Sequence, residues 1–411
     1  MRRSFLRYTR TFLLPLLAVG LILAGCDSSG TNGGNGGDTD TFEYPSTAYG
    51  AETVVNLLAF DLGVRVGSAS SNSESTLLDL YTGSADDATI RAAQNLSTEG
   101  QNVYSDIAGG VNLSSLVSTD DLIRGDQLDP QDTPNDGAAV NTDELLQEYF
   151  RKAGAEDSTR TSNGIVLSQF AEKMLLGTPI YGEGAAILSD FADGSVSSNQ
   201  AEQWDAAFGY FGFPRTLEPF LNYSGGTEGL AGGNATRDVD GNGSVDLTSE
   251  YVHTWASYAI ERSAAAENNG NANDFARRAF DALVEGREDI ENGEDPSDHA
   301  ETALDAWEAT VAVNVIHYIN SMEDNIGGVS GELSQGDVGE DAWGEAKAFA
   351  WNLQFYSDSL SDSQLNTLHD LIGNDPPYGE LSADEYATDL EQATQILADA
   401  YGFNDSNVAA W

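Results

Sequence analysis

A chain of 411 residues with 67 acidic and 18 basic side chains has a formal charge of −49, and it holds a single cysteine. It therefore forms no internal disulfide, and its field repels phosphates, which excludes nucleic-acid binding through an ordinary basic patch and disfavours direct adhesion to anionic lipid. Hydrophobic residues make up 40% of the chain and aromatic ones 9%, enough to bury a core, so the acidity is not that of a globally disordered polymer.

Lysine occurs only at Lys152, Lys173 and Lys347. Short carboxylates that hold hydrated cations, with few long lysine stems, point to adaptation to high salt, where screening weakens their mutual repulsion.

In chain order, residues 1–25 combine a basic start (Arg2, Arg3, Arg7, Arg10), an apolar run from Phe12 to Leu23 and small residues before Cys26. This is the pattern of a cleaved signal peptide, too short and wrongly flanked for a spanning helix. Leu23-Ala24-Gly25-Cys26 resembles the bacterial lipobox, which implies cleavage before Cys26, acylation of its thiol and a lipid anchor at the membrane. Cutting there removes four basic residues, leaving 14 against 67 acidic ones, a charge of −53. Arg2-Arg3-Ser4-Phe5-Leu6-Arg7 also resembles the twin-arginine export signal, which carries folded proteins. Residues 26–41 are rich in Asp, Ser, Gly, Thr and Asn and read as a flexible acylated tether.

From residue 42 to residue 411 the pattern predicts one helical globular domain. Apolar positions Leu304, Trp307, Val311, Val315, Tyr318 and Met322 advance by three or four, as the buried stripe of a long helix does. The same reading predicts helices over 53–66, 76–96, 144–153, 167–176, 201–211, 249–264, 274–283, 343–355, 363–372 and 383–401. The class expected is all-α, a multi-helix bundle with long acidic Gly/Asp-rich loops, notably 120–143, 225–246 and 323–337.

Trp204-Asp205-Ala206-Ala207-Phe208-Gly209-Tyr210-Phe211-Gly212 is the densest aromatic string. Trp204, Phe208 and Phe211 share a helix face, suited to core packing or, with His253 and His317, to a candidate ligand pocket. Asp238-Val239-Asp240-Gly241-Asn242-Gly243-Ser244-Val245-Asp246 places side-chain oxygens at loop positions one, three, five and nine and Gly at six, matching the calcium loop. Asp238, Asp240, Asn242 and Asp246 are the expected side-chain ligands of Ca²⁺, and Ser244 offers its carbonyl. Position twelve is Ser249, with Glu250 one residue later. The same oxygens would also serve a solvated turn capping the next helix.

Glu250 and His253 form one Glu-x-x-His pair, and di-iron bundles use two. There is no His-Glu-x-x-His, no Gly-x-Ser-x-Gly and no phosphate-binding Gly-x-x-x-x-Gly-Lys, so those hydrolase and nucleotide-binding classes are disfavoured. Paired carboxylates carry no information in so acidic a chain.

The aromatic string 204–212, the string Asp238–Tyr251 and Val315-Ile316-His317-Tyr318-Ile319-Asn320 resemble a domain-of-unknown-function family of Gram-negative lipoproteins encoded near imelysin-like proteins and outer-membrane receptors. The resemblance implies a mostly helical lipoprotein on the periplasmic or outer surface, linked to iron or other nutrient acquisition, with an outer-membrane receptor or an imelysin-like protein as partner. It also suggests that Glu250 rather than Ser249 completes the Asp-rich loop. The His-x-x-Glu motif of imelysin-like proteins is absent, so their metal or peptidase chemistry does not carry over. The leading expectation is a calcium-stabilised binding or accessory lipoprotein of the cell envelope. The alternatives are a hydrolase using carboxylates or a metal-bound water, with two or more of His253, His317, Glu250, Glu308 and Glu345 in one cleft, and a structural envelope protein.

Overall fold

A computed structural model describes residues 41–68, 73–83, 85–124, 140–155, 159–161, 164–221, 236–268 and 273–411. The expected signal peptide, Cys26 and most of the expected tether lie outside the described residues, and Thr39–Trp411 form one compact unit. The fold is all-α and multi-helical, with only isolated bridges and no strand among the described residues.

Fourteen α-helical segments are described: α1 (Gly50–Gly67), α2 (Glu74–Thr82), α3 (Thr142–Ala155), α4 (Leu167–Leu176), α5 (Glu183–Ala192), α6 (Gln200–Phe211), α7 (Glu218–Leu221), α8 (Thr254–Asn268), α9 (Phe275–Asn292), α10 (Ser297–Ile326), α11 (Glu340–Phe355), α12 (Asp362–Ile372), α13 (Ala383–Tyr401) and α14 (Asp405–Val408). A π-helical segment, Gly177–Gly182, joins α4 to α5.

The plan follows from how much of each helix is apolar. Helix α10 is buried at every position from Ala306 to Ile316, and α11 from Ala342 to Leu353. Helices buried on all sides make the middle of the domain. Pairwise packing runs α1 to α4, α4 to α11, α11 to α10, α10 to α5, α5 to α6 and α6 back to α1, and the π segment touches α1, α4, α5, α6 and α11. Helices α9, α12 and α13 bury one face each: α9 and α13 lie against α10, and α12 lies against α11 and α13. Gly209 lets α6 meet α1, since a Cβ there would lie 2.6 Å from Tyr49 Cβ. Gly212 ends α6 at φ +86°, where a Cβ would lie 2.6 Å from that of His253.

Two expectations about elements are corrected. The helix expected over 76–96 ends at Thr82, because the segment beyond Gly83 bonds to distant parts of the chain: Asp61 Oδ2 accepts from Arg91 N (2.7 Å) and from the Tyr104 hydroxyl, and Asp86 Oδ1 accepts from Gly110 N (2.8 Å). The helix expected from Ser249 begins at Thr254, so Glu250 and His253 do not share a helix face. Helix α4 occupies 167–176 as expected, and the π turn that carries Pro179 leads into α5, which the apolar pattern did not predict. No helix among the described residues is long and apolar enough to cross a membrane.

Candidate metal centre

The Asp-rich segment folds as a loop built on its own side chains. Asp238 Oδ2 accepts from Gly243 N (2.9 Å), Asp240 Oδ1 from Asn242 N (2.9 Å) and Asn242 Oδ1 from Ser244 N (2.8 Å). These short side-chain-to-backbone bonds are the local preference of Asp and Asn. Gly241 (φ +75°) and Gly243 (φ +91°) supply the left-handed turns. Antiparallel pairing of Thr236 with Tyr251 closes the base, and Val245 pairs with Thr98, bringing the 97–102 strip alongside.

Glu250 is buried, and its carboxylate ties the two ends of the loop together. Oε1 accepts from Val239 N (2.7 Å) and Asp240 N (3.1 Å), and Oε2 accepts from Asp246 N (3.0 Å). It stands in the bend ahead of α8, not in the first turn of that helix. The Asp246 carboxylate is turned away toward the strip and the bend. Its Oδ1 accepts from Gln101 Nε2 (2.6 Å), Thr248 N (2.9 Å) and Thr248 Oγ1 (2.6 Å), and Oδ2 accepts from Ser249 Oγ (2.7 Å). Burial alone would raise the Asp246 carboxyl, but the donors Thr248, Ser249 and Gln101 outweigh it and hold it below the usual carboxylate range.

The residue that sequence reasoning missed is Glu99. One carboxylate oxygen from each of Glu99, Asp240 and Glu250 lies within 4.8 Å of the other two. Ligands about 2.3–2.6 Å from a calcium ion can stand at most about 5 Å apart across it, so the spacing suits such an ion. Asn242 Nδ2 donates to Glu99 Oε1 and to Asp240 Oδ2 (2.9 Å), so a neutral amide bridges two like charges. Glu99 is contributed from 143 positions before Asn242, and nothing in Ser97-Thr98-Glu99-Gly100-Gln101 marks it as a ligand. The pairing of Thr98 with Val245 and the bonds between Gln101 and Asp246 and Leu247 bring it near.

The other expected site residues lie apart from this loop. Trp204, Phe208 and Phe211 are fully buried. Phe208 stacks on Phe42 at 3.9 Å, Phe211 on Phe213 at 4.5 Å, and Trp204 meets Phe191 edge-on while Nε1 donates to Leu283 O (2.7 Å). His253 Nε2–H donates to Leu247 O (2.9 Å), and burial pushes the imidazole down to about 4. His317 Nδ1–H donates to the Trp411 carbonyl, and burial, helped by Arg262, again lowers the ring to about 4.

Of the carboxylates weighed for hydrolysis, Glu308 accepts from the Ser357 and Tyr401 hydroxyls and from Ser359 N (3.2 Å). Glu345 pairs with Lys173 (3.2 Å), which also pairs with Glu172 (2.8 Å). Each of these groups is held by its own partners in a different part of the core. Comparisons with protein-family models, curated proteins and solved structures find no match to the chain.

Proposed function

We propose that this chain is a membrane-anchored envelope lipoprotein with a binding or accessory role in nutrient uptake, iron included, and that Ca²⁺ at the 238–250 loop stabilises its body. Lipid on Cys26 holds it to the membrane, and an outer-membrane receptor or an imelysin-like protein is its partner. The lipobox and the resemblance to envelope lipoproteins support the location and role. The calcium centre rests on one observation, the convergence of Glu99, Asp240 and Glu250 on a loop of successive Asp and Asn turns.

In this reading Glu99, Asp240 and Glu250 hold the ion, Asp238 and Asn242 add side-chain oxygens, and Ser244 adds its carbonyl. Asp246 keeps the loop folded through Gln101, Thr248 and Ser249 rather than coordinating. The ion neutralises part of a self-repelling cluster and joins the 97–102 strip to the approach to α8.

A ligand that binds only the folded state stabilises it by about 2.7 kcal/mol at a hundredfold excess over Kd. At fixed ionic strength, calcium should raise the melting temperature over chelator and slow proteolysis near Gly241, and Asp240→Ala should abolish both effects. Equal melting and equal nicking of the wild type with and without calcium would contradict the proposal.

A further inference from the structure

Helix α12 closes over a buried pair of basic side chains. Lys347 of α11 and His369 of α12 are both fully buried, at 0% exposure. Lys347 Nζ donates to the backbone carbonyl of His369 (3.2 Å) and lies 5.4 Å from the centre of the Trp351 ring. The His369 ring packs on Trp351 at 5.7 Å, and neither of its nitrogens has a hydrogen-bond partner. Two basic groups thus share one buried site, and among the described residues the acceptor facing them is the His369 carbonyl, an arrangement that disfavours a charge on either.

The charged groups around this site come from three directions. Asp370 of α12 and Asp375 beyond it favour a proton on Lys347, while Arg124, from the segment across α11, opposes one on either group. Arg124 and Asp370 pair at the surface (2.8 Å). From α13 the facing group is Tyr386, which donates to Ile372 O (2.8 Å). On α4, Lys173 is engaged with Glu172 and Glu345. Helix α10 faces α11 with Tyr318, stacked on Phe349 at 5.7 Å.

We propose that Lys347 and His369 form a proton-operated latch: neutral, they hold α12 against α11, and uptake of protons releases α12. Because α12 packs chiefly on α11 and α13, with Arg124 paired to its Asp370 at the surface, its release is local and uncovers the α11 face that carries Lys347. Burial lowers Lys347 from 10.5 to about 7 and holds His369 well below 6.5. The open form therefore takes up a lysine proton that the closed form refuses between about pH 10 and 7, and a histidine proton that it refuses below 6.5. Each refused proton multiplies the opening constant about tenfold per pH unit of acidification.

Amide hydrogen exchange over Leu365–Ile372, corrected for its intrinsic pH dependence, reads this constant. Wild-type protection should fall about tenfold from pH 9 to pH 8 and again by pH 7, while the amides of α9 do not follow. Lys347→Met should remove the fall above pH 7, and His369→Leu the fall between pH 6.5 and 5. Protection that is flat from pH 9 to 5, a slope that both variants retain, or an equal slope in α9 would overturn the latch. Should either variant fail to fold, NMR of the wild-type imidazoles decides: His369 should remain neutral at pH 5 in the closed protein, and an ordinary midpoint near 6.5 would overturn the proposal.

Discussion

His253 joins the Asp-rich loop to the core, since its ring donates to Leu247 O and its Cβ fills the space left by Gly212. Its folded value near 4 lies below the ordinary 6.5, so the sign of its effect follows. Above pH 6.5 the ring is neutral folded or unfolded and there is no penalty. Between 6.5 and about 4 the unfolded chain binds a proton that the folded one does not, so stability falls as pH falls through that window. At about 1.4 kcal/mol per unit, the wild type should lose about 2 kcal/mol more than His253→Gln between pH 7 and pH 5 in urea unfolding. Equal losses would mean that the buried ring is not the proton-sensitive group. At this scale the aromatic string was legible as a helix face, and its rings now pair with Phe42, Phe191 and Phe213. Glu99 was not legible, because a carboxylate brought in by a distant backbone pairing leaves no local trace.

Helices with a regular apolar period and a chemical stop were legible as elements. Helix α13 occupies 383–401 as expected, opened by Ser382 and closed by Gly402 at φ +65°. Helix α12 opens with a reciprocal cap in which Ser361 Oγ accepts from Gln364 N (3.3 Å) and Gln364 Oε1 accepts from Ser361 N (3.1 Å). Ser361→Ala should cost about 1 kcal/mol in denaturant unfolding, with Ser361→Asp close to wild type. An unchanged midpoint for the alanine variant would show that α12 does not depend on its cap. Where the element reading failed, tertiary partners overrode local pattern. Asp61 draws Arg91 and Tyr104 to α1 and so ends α2 early. The apolar pattern predicts no element between 176 and 201, where Gly177–Gly182 forms a π turn packed among α1, α4, α5, α6 and α11 and leads into α5. Glu250 leaves the expected helix to bind the backbone of Val239 and Asp240.

Across the whole molecule the dominant fact is charge. With −49 on 411 residues, the folded state crowds carboxylates that the open chain spreads apart, and the screening length falls from about 10 Å at 0.1 M salt to about 3 Å at 1 M. The melting temperature should therefore rise between 0.1 M and 2 M NaCl; a flat or falling value would count against adaptation to high salt. General screening and specific binding both relieve this repulsion, and only the second depends on named residues.

Calorimetric titration with calcium at fixed ionic strength separates them. Ca²⁺ should bind the wild type at a single site, and Glu99→Gln and Asp240→Asn should each weaken it by about tenfold or more, whereas Glu294→Gln, an exposed acid elsewhere, should not. No saturable binding, or binding indifferent to Glu99 and Asp240, would contradict the calcium centre.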